Sequence, residues 1–143
     1  MKRMWGIALL VGASVSLIVG PQPVRAQACK DEVEMVDGSK QALASFTDTV
    51  KKESFAVFET SDHQKSALNR ISMHVGMLGE LVTCLDKAAQ DTTLTKEDAA
   101  AAKTQHDAAA KLLAKIKDQQ GAIKNAKTPN DAKTLIGNLD VAP

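Results

Sequence analysis

Aromatic side chains are scarce in this chain of 143 residues, at 3% of the sequence. Tyrosine is absent, the single tryptophan is Trp5, and the other rings are Phe46, Phe55 and Phe58. Large rings dominate the energetics of many protein cores, so a core in this chain has to come from smaller aliphatic side chains. The length allows one small domain, for which a covalent cross-link is an important source of stability.

Proline is absent between Pro23 and Pro129. Proline inside a helix removes a backbone hydrogen bond and breaks the helix, so its absence leaves a long stretch in which helices can continue. Ala, Lys, Leu, Glu and Gln, which are good helix formers, dominate the later half. Apolar residues also recur at steps of three and four, which indicates amphipathic helices. The sequence therefore predicts an all-α fold.

Common catalytic motifs are missing as well: the chain has no GxSxG, no HExxH and no phosphate-binding loop. Acidic residues are numerous, but they lie mostly at polar positions of the predicted helices. We expect a protein that is not an enzyme, with no catalytic residue, no metal ligand and no cofactor.

The N terminus has the pattern of an export signal. Lys2 and Arg3 precede an apolar stretch at residues 5–19 that is short for a membrane span, and Gly20 and Pro21 end it. Small residues then allow cleavage after Ala26 or Ala28. We predict a signal peptide at residues 1–26 and one helical domain at residues 29–143. A retained N-terminal anchor is the alternative, and we expect no stable membrane insertion after cleavage.

Cleavage changes the charge of the chain. Removal of Lys2, Arg3 and Arg25 from 18 basic residues leaves 15 of them against 17 acidic ones, a net charge of −2. Nucleic-acid binders present a basic patch, so we expect no nucleic-acid partner. A protein partner and the oligomeric state are left open by the sequence.

Two cysteines in an exported chain most simply form one disulfide, Cys29–Cys84. Cleavage after Ala28 would instead leave Cys29 at the N terminus, where a lipoprotein would carry its lipid. The polar Gln27, and Ala26 in place of a larger aliphatic residue, fit that alternative poorly. The predicted location is the periplasm or the exterior, with a lipoprotein anchored through Cys29 as a minor alternative.

Four apolar stripes predict a small antiparallel three-helix bundle with a short C-terminal fourth helix. The first stripe repeats every seven residues, the second has the a/d spacing of helices packed side by side, and the last two are shorter. Their members are Cys29, Val36, Leu43, Val50 and Val57; Leu68, Ile71, Val75, Leu78, Val82 and Leu85; Ala102, Ala109, Leu112, Ile116, Ile123 and Ala126; and Ala132, Leu135, Ile136 and Leu139. The predicted helix starts are a capping box at Ser61 with Gln64, a cap at Thr95 with Asp98, and a cap at Thr128 with Pro129.

The disulfide constrains where the first helix ends. In an antiparallel helical hairpin, residues at equal distance from the turn face each other, and the midpoint of residues 29 and 84 is 56.5. A helix that ran on to Thr60 would offset the two cysteines by about 12 Å, which a disulfide does not tolerate. We therefore expect the first helix to end near Glu53 and residues 54–60 to belong to a longer connection. A fold-back of residues 29–38 is the alternative.

Residues 71–84 combine side chains that bind soft metals with the pattern of a central helix. On a helical wheel, Met73, Met77 and Cys84 share a flank beside the a/d seam, so we expect both methionines to pack against the first helix. His74 lies between the two faces, and we interpret it and His63 as boundary or packing residues. Eleven residues separate the two histidines, about 16 Å along one helix, so they cannot share a metal ion.

A haem-, copper- or small-ligand-binding bundle is the alternative function. Met35, Cys84 and His106 would fall at the same end of an up-down-up bundle, and Met and His are known haem ligands. However, no CxxCH is present for covalent haem attachment.

Gly76 and Gly79 of the second predicted helix suit either a close approach by another segment or a solvated helix face. For the function of the whole chain, the hypothesis that we prefer is that it is an exported non-enzymatic interaction or structural protein.

Overall fold

The computed structural model describes residues 29–142, all of whose regular structure is helical. The helices are α1 (Lys30–Lys52), α2 (Thr60–Ala89), α3 (Lys96–Asn125) and α4 (Pro129–Gly137). This confirms the predicted all-α fold of three long helices and a short fourth one. The predicted signal peptide, residues 1–26, lies outside the described residues.

Helix α2 is the centre of the bundle, with α1 and α3 packed on its two sides. The backbones of α1 and α3 approach each other nowhere within 8 Å, measured between Cα atoms. Helix α4 contacts all three long helices, and α1 most extensively. A Cβ atom added to Gly137 would lie 3.4 Å from the Cα atom of Lys51, so the end of α4 sits close against the end of α1. The short helix thus joins two helices that are otherwise separated.

The apolar stripes account for most of the core. The buried members of the four stripes are Cys29, Val36, Leu43, Val50, Ile71, Leu78, Leu85, Ala102, Ala109, Leu112, Ile116, Ile123, Ala132, Ile136 and Leu139. Val57 continues the seven-residue spacing of the first stripe but is 61% exposed. The reason is that α1 ends at Lys52, so helical periodicity no longer sets the direction of a side chain at residue 57.

Two of the three predicted helix starts are confirmed. The Thr95 hydroxyl accepts a hydrogen bond from the Asp98 backbone N–H at 3.1 Å, and the Thr128 hydroxyl accepts one from Asp131 at the same distance. Both bonds satisfy N–H groups that have no partner inside the helix.

The capping box predicted at Ser61 is wrong. The N-cap residue of α2 is Glu59, two residues before Ser61, and it makes no side-chain capping bond. The Gln64 amide instead donates to the backbone carbonyls of Ile123 and Ala126, at 2.9 and 2.7 Å. Gln64 therefore satisfies carbonyls at the end of α3, a role that local sequence spacing does not reveal.

The disulfide and the early end of α1 occur together, as predicted. Cys29 and Cys84 are bonded, with their Cα atoms 5.9 Å apart, within the normal range for a disulfide. Glu53 is the C-cap residue of α1, and residues 53–59 form the connection to α2, which we call the connecting loop. A second contact between the two helices, from Ser39 to His74, has the same sequence midpoint, 56.5, as the disulfide. Two independent contacts thus fix one register of α1 against α2.

Candidate functional site

His74 is buried in the bundle beside α1, and its side chain is inaccessible to solvent. Its Nδ1 atom lies 2.5 Å from the Ser39 hydroxyl oxygen, and that hydroxyl also donates to the Val36 carbonyl at 3.0 Å. A hydroxyl has one proton to donate, so this pattern assigns the ring proton to Nδ1. The Nε2 atom has no hydrogen-bond partner.

Burial, together with a smaller effect of the nearby positive charge of Lys40, lowers the pKa of His74 from 6.5 to about 4. The imidazole is therefore neutral at physiological pH. Because the ring is shielded from solvent, it is poorly placed to exchange protons with a substrate. His74 is a buried packing residue with one strong polar contact. This agrees with its interpretation from the helical wheel as a boundary or packing residue.

His63 holds the connecting loop in place. Its Nε2 atom lies 2.7 Å from the Glu53 carboxylate and its Nδ1 atom 2.8 Å from the Glu59 carbonyl oxygen. Its ring also packs against the buried Phe58 ring, with the centroids 4.4 Å apart and the planes tilted by 35°. One imidazole therefore links the start of the loop, its end and the core beneath it.

Two large apolar side chains of this fixed loop face solvent. Phe55 is 57% exposed and Val57 is 61% exposed. The Lys133 ammonium lies 5.4 Å from the centre of the Phe55 ring and donates to the Lys51 carbonyl at 3.1 Å. The loop thus presents an apolar tip beside a cationic group of α4.

Of the two methionines expected to pack against α1, Met73 does not. Met73 is 62% exposed and Met35 is 40% exposed, while Met77 is partly buried against the core. The expectation that Met73 packs on α1 is therefore wrong. The helical wheel gives only the direction of a side chain, and in that direction the Met73 side chain stays 62% exposed.

The two glycines of α2, Gly76 and Gly79, have open space around them. A Cβ atom added to Gly76 or Gly79 would meet nothing within 4 Å outside the local helix backbone. A close approach by another segment is therefore excluded as their explanation, and the solvated face is the correct alternative.

Two of the three residues considered for haem ligation, Cys84 and His106, have other partners. Cys84 is bonded to Cys29, and the His106 Nδ1 atom lies 3.0 Å from the Asp107 carboxylate. Within residues 29–142, no group of three or more His, Cys, Asp or Glu side chains has an arrangement that could hold a metal ion.

An open cleft of about 560 Å³ separates the end of α3 from α4. Small and polar side chains form most of its wall, and the lining residues are Ala122, Asn125, Ala126, Lys127, Asn130, Asp131, Thr134 and Leu135. A typical ligand pocket is more enclosed and more apolar, so this cleft is a weaker candidate than the connecting loop.

None of the helices in the described part of the chain is both long and apolar enough to cross a membrane. Comparison with protein-family models, with curated proteins and with solved structures found no match to this chain.

Proposed function

We propose that this protein is an exported, non-enzymatic interaction protein that binds a protein partner through its connecting loop. The observation that carries the proposal is the solvent exposure of Phe55 and Val57 on a loop that is itself firmly held. Exposed apolar residues that are scattered singly are ordinary. Two of them within three residues, on a structured loop, are better explained by a surface that is covered during function.

The rigidity of the loop favours recognition. The Glu53–His63 contact and the buried Phe58 fix the loop on both sides of Phe55. A loop that is ordered before binding loses less conformational entropy when a partner arrives. Aromatic side chains also contribute much of the binding energy at protein interfaces.

The surroundings indicate the chemistry of the partner. Phe55 supplies an apolar ring, and the Lys133 ammonium lies beside it. A complementary surface would have an apolar pocket for the ring with a carboxylate at its rim. We therefore propose a protein partner with an acidic-rimmed apolar pocket.

A photo-crosslinking amino acid at position 55 tests this proposal in the native host. We expect one dominant adduct from position 55 and none from position 104, which is an exposed site in the N-terminal half of α3. The captured partner is then purified and its Kd measured. Phe55→Ala with Val57→Ala should raise the Kd at least about tenfold, since interface anchors contribute 1 kcal/mol or more each.

The matched control is Thr104→Ala, which should leave the Kd unchanged and should fold equally well by circular dichroism. Equal crosslinking from positions 55 and 104 would count against the loop as the docking element. So would a Kd for the double variant that stays within twofold of the original value.

Export is the second part of the proposal. Its support is the signal pattern at residues 1–26 together with a disulfide, which persists in oxidising compartments. A Cys29 sulfur bonded to Cys84 has no remaining valence for a lipid, which favours the periplasm or the exterior over a lipoprotein. N-terminal sequencing of protein from the host should begin at Gln27 or Cys29. An intact N terminus in a cytoplasmic fraction, or a lipid on Cys29, would refute this part.

A further inference from the structure

The described residues contain three methionines, and all three lie on the α1–α2 pair. Met73 and Met77 are four residues apart on α2 and so lie on one side of that helix. Met35 precedes Ser39 by four residues on α1, and Ser39 is the residue that contacts His74. Met35 is therefore on the side of α1 that is turned toward α2.

The register of the two helices places Met35 and Met77 at about the same level along the helix axes. With a midpoint of 56.5, set by the disulfide and by the Ser39–His74 contact, Met35 lies opposite residue 78. The axial offset between Met35 and Met77 is then about 1.5 Å, and Met73 is about 6 Å further along. We call this group of Met35, Met73 and Met77 the methionine face.

The methionine face lies between two fixed contacts. Along the helix axes, the Cys29–Cys84 disulfide lies at one end of this face. The Arg70 guanidinium, 4.8 Å from the centre of the Phe46 ring, lies at the other. The helices therefore cannot slide past each other, although the methionine side chains remain flexible.

Core packing explains part of the Met77 side chain, but not Met73 and Met35, which are 62% and 40% exposed. An exposed methionine contributes little hydrophobic stabilisation, but its thioether sulfur remains an accessible ligand. Thioethers are soft, neutral donors that select monovalent copper over harder ions. Two thioethers on adjacent turns of α2 and one from the facing α1 supply enough donors for one such ion.

We propose that Met35, Met73 and Met77 form a binding site for Cu(I). The site is distinct from the connecting loop, so a protein lacking Phe55 and Val57 should bind the ion unchanged. Failure of the copper site and failure of the docking proposal are therefore distinguishable.

The chemistry of the ligands gives an unusual test. His, Cys and carboxylate ligands must lose a proton or stay unprotonated to bind a metal, so their affinity falls in acid. A thioether has no proton to lose. We expect the affinity for Cu(I) to stay within about twofold between about pH 5.5 and pH 8, where a histidine site would weaken strongly.

The measurement is a competition with a coloured Cu(I) chelator, using ascorbate as the reductant so that the Cys29–Cys84 disulfide stays intact. Ag(I), which needs no reductant, is the second probe. We expect one ion per chain with either probe, and shifts of the three methionine methyl signals in NMR spectra. Zn(II) should not compete, since it prefers nitrogen, oxygen and thiolate ligands.

Replacement of all three methionines by leucine should weaken Cu(I) binding more than about 100-fold, because loss of even a second-shell partner costs about 10–100-fold. Methionine-to-leucine changes nearly conserve volume, so the fold should survive. His106→Ala is the matched control, since it removes an imidazole of α3, and it should bind Cu(I) as the unchanged protein does.

Three results would overturn the proposal. The first is equal Cu(I) affinity of the triple variant and the unchanged protein. The second is binding that disappears in His106→Ala, and the third is an absence of any Cu(I) or Ag(I) binding in competition with a weak chelator. If the triple variant fails to fold, the methyl shifts and the pH profile of the unchanged protein decide the question without it.

Discussion

Replacing Cys29 and Cys84 by alanine should lower the free energy of unfolding by about 4 kcal/mol. The two residues are 55 positions apart in sequence, and the bond between them restricts a large loop in the unfolded chain. The chain-entropy estimate for such a loop is about 4 kcal/mol, and for a domain of this size it corresponds to a fall in Tm of about 15 °C. Urea and thermal unfolding followed by circular dichroism measure both quantities.

The effect should be large relative to the total stability, because small domains are stable by only about 5–15 kcal/mol. Reduction of the disulfide in the unchanged protein should lower the free energy of unfolding by a similar amount. Because reduction keeps both cysteine side chains, this experiment measures the effect of the cross-link apart from the packing of the sulfur atoms. The oxidised protein should also be about 2 Da lighter than its reduced form. A loss below about 1 kcal/mol in both experiments would contradict this account.

Acidification should destabilise the protein by about 3 kcal/mol through His74 alone. The pKa of His74 is lowered from 6.5 to about 4 by burial, so the unfolded chain binds a proton in a range where the folded protein does not. The full contribution of neutral His74 is present above pH 6.5. It is lost progressively as the pH falls to about 4, and below that value no further loss comes from this residue.

The carboxylates do not produce the same profile. The pKa of Asp140 is held below its ordinary value mainly by the Lys115 ammonium, so its contribution is lost only in stronger acid. Burial raises the pKa of Asp37, against the effect of Lys40. The folded protein therefore binds a proton at Asp37 more readily than the unfolded chain does. Acidification stabilises the folded state through this residue, which is the opposite of the His74 effect.

His74→Leu is the variant that isolates this effect. Leucine fills a buried site without a titrating group, so the loss of stability on acidification from pH 6.5 to about 4 should disappear, and the smaller, opposite effect of Asp37 should remain. His106→Gln is the control and should keep the original pH dependence, because it leaves His74 and the residues around it unchanged. An unchanged slope in His74→Leu would show that other groups cause the acid sensitivity.

The helices could be predicted from the sequence because local rules decide them. The proline-free stretch, the stripes, and the caps at Thr95 and Thr128 each act within a few residues of chain. The early end of α1 was also predictable, since the geometry of a Cys29–Cys84 bond does not fit a longer helix. The same reasoning placed Phe55 and Val57 in a connection, although not the exposure that makes them candidates for docking.

The features that sequence reasoning missed depend on distances between helices. A helical wheel gives the direction of a side chain but not how near the next helix is, which is why Met73 was wrongly expected to be packed. The same limit explains Gln64, whose amide bonds to carbonyls about 60 residues away in sequence. The contact between Ser39 and His74 could not be predicted either, because it depends on the register of α1 against α2.

The position of α4 has a consequence for the order of folding. This helix contacts the other three, and it lies between α1 and α3, whose backbones do not meet. It is also synthesised after all of them, so a growing chain has no complete core until residues 129–142 have been made. In the export that we propose, α4 follows α1, α2 and α3 across the membrane, so the bundle closes only after these three helices have emerged.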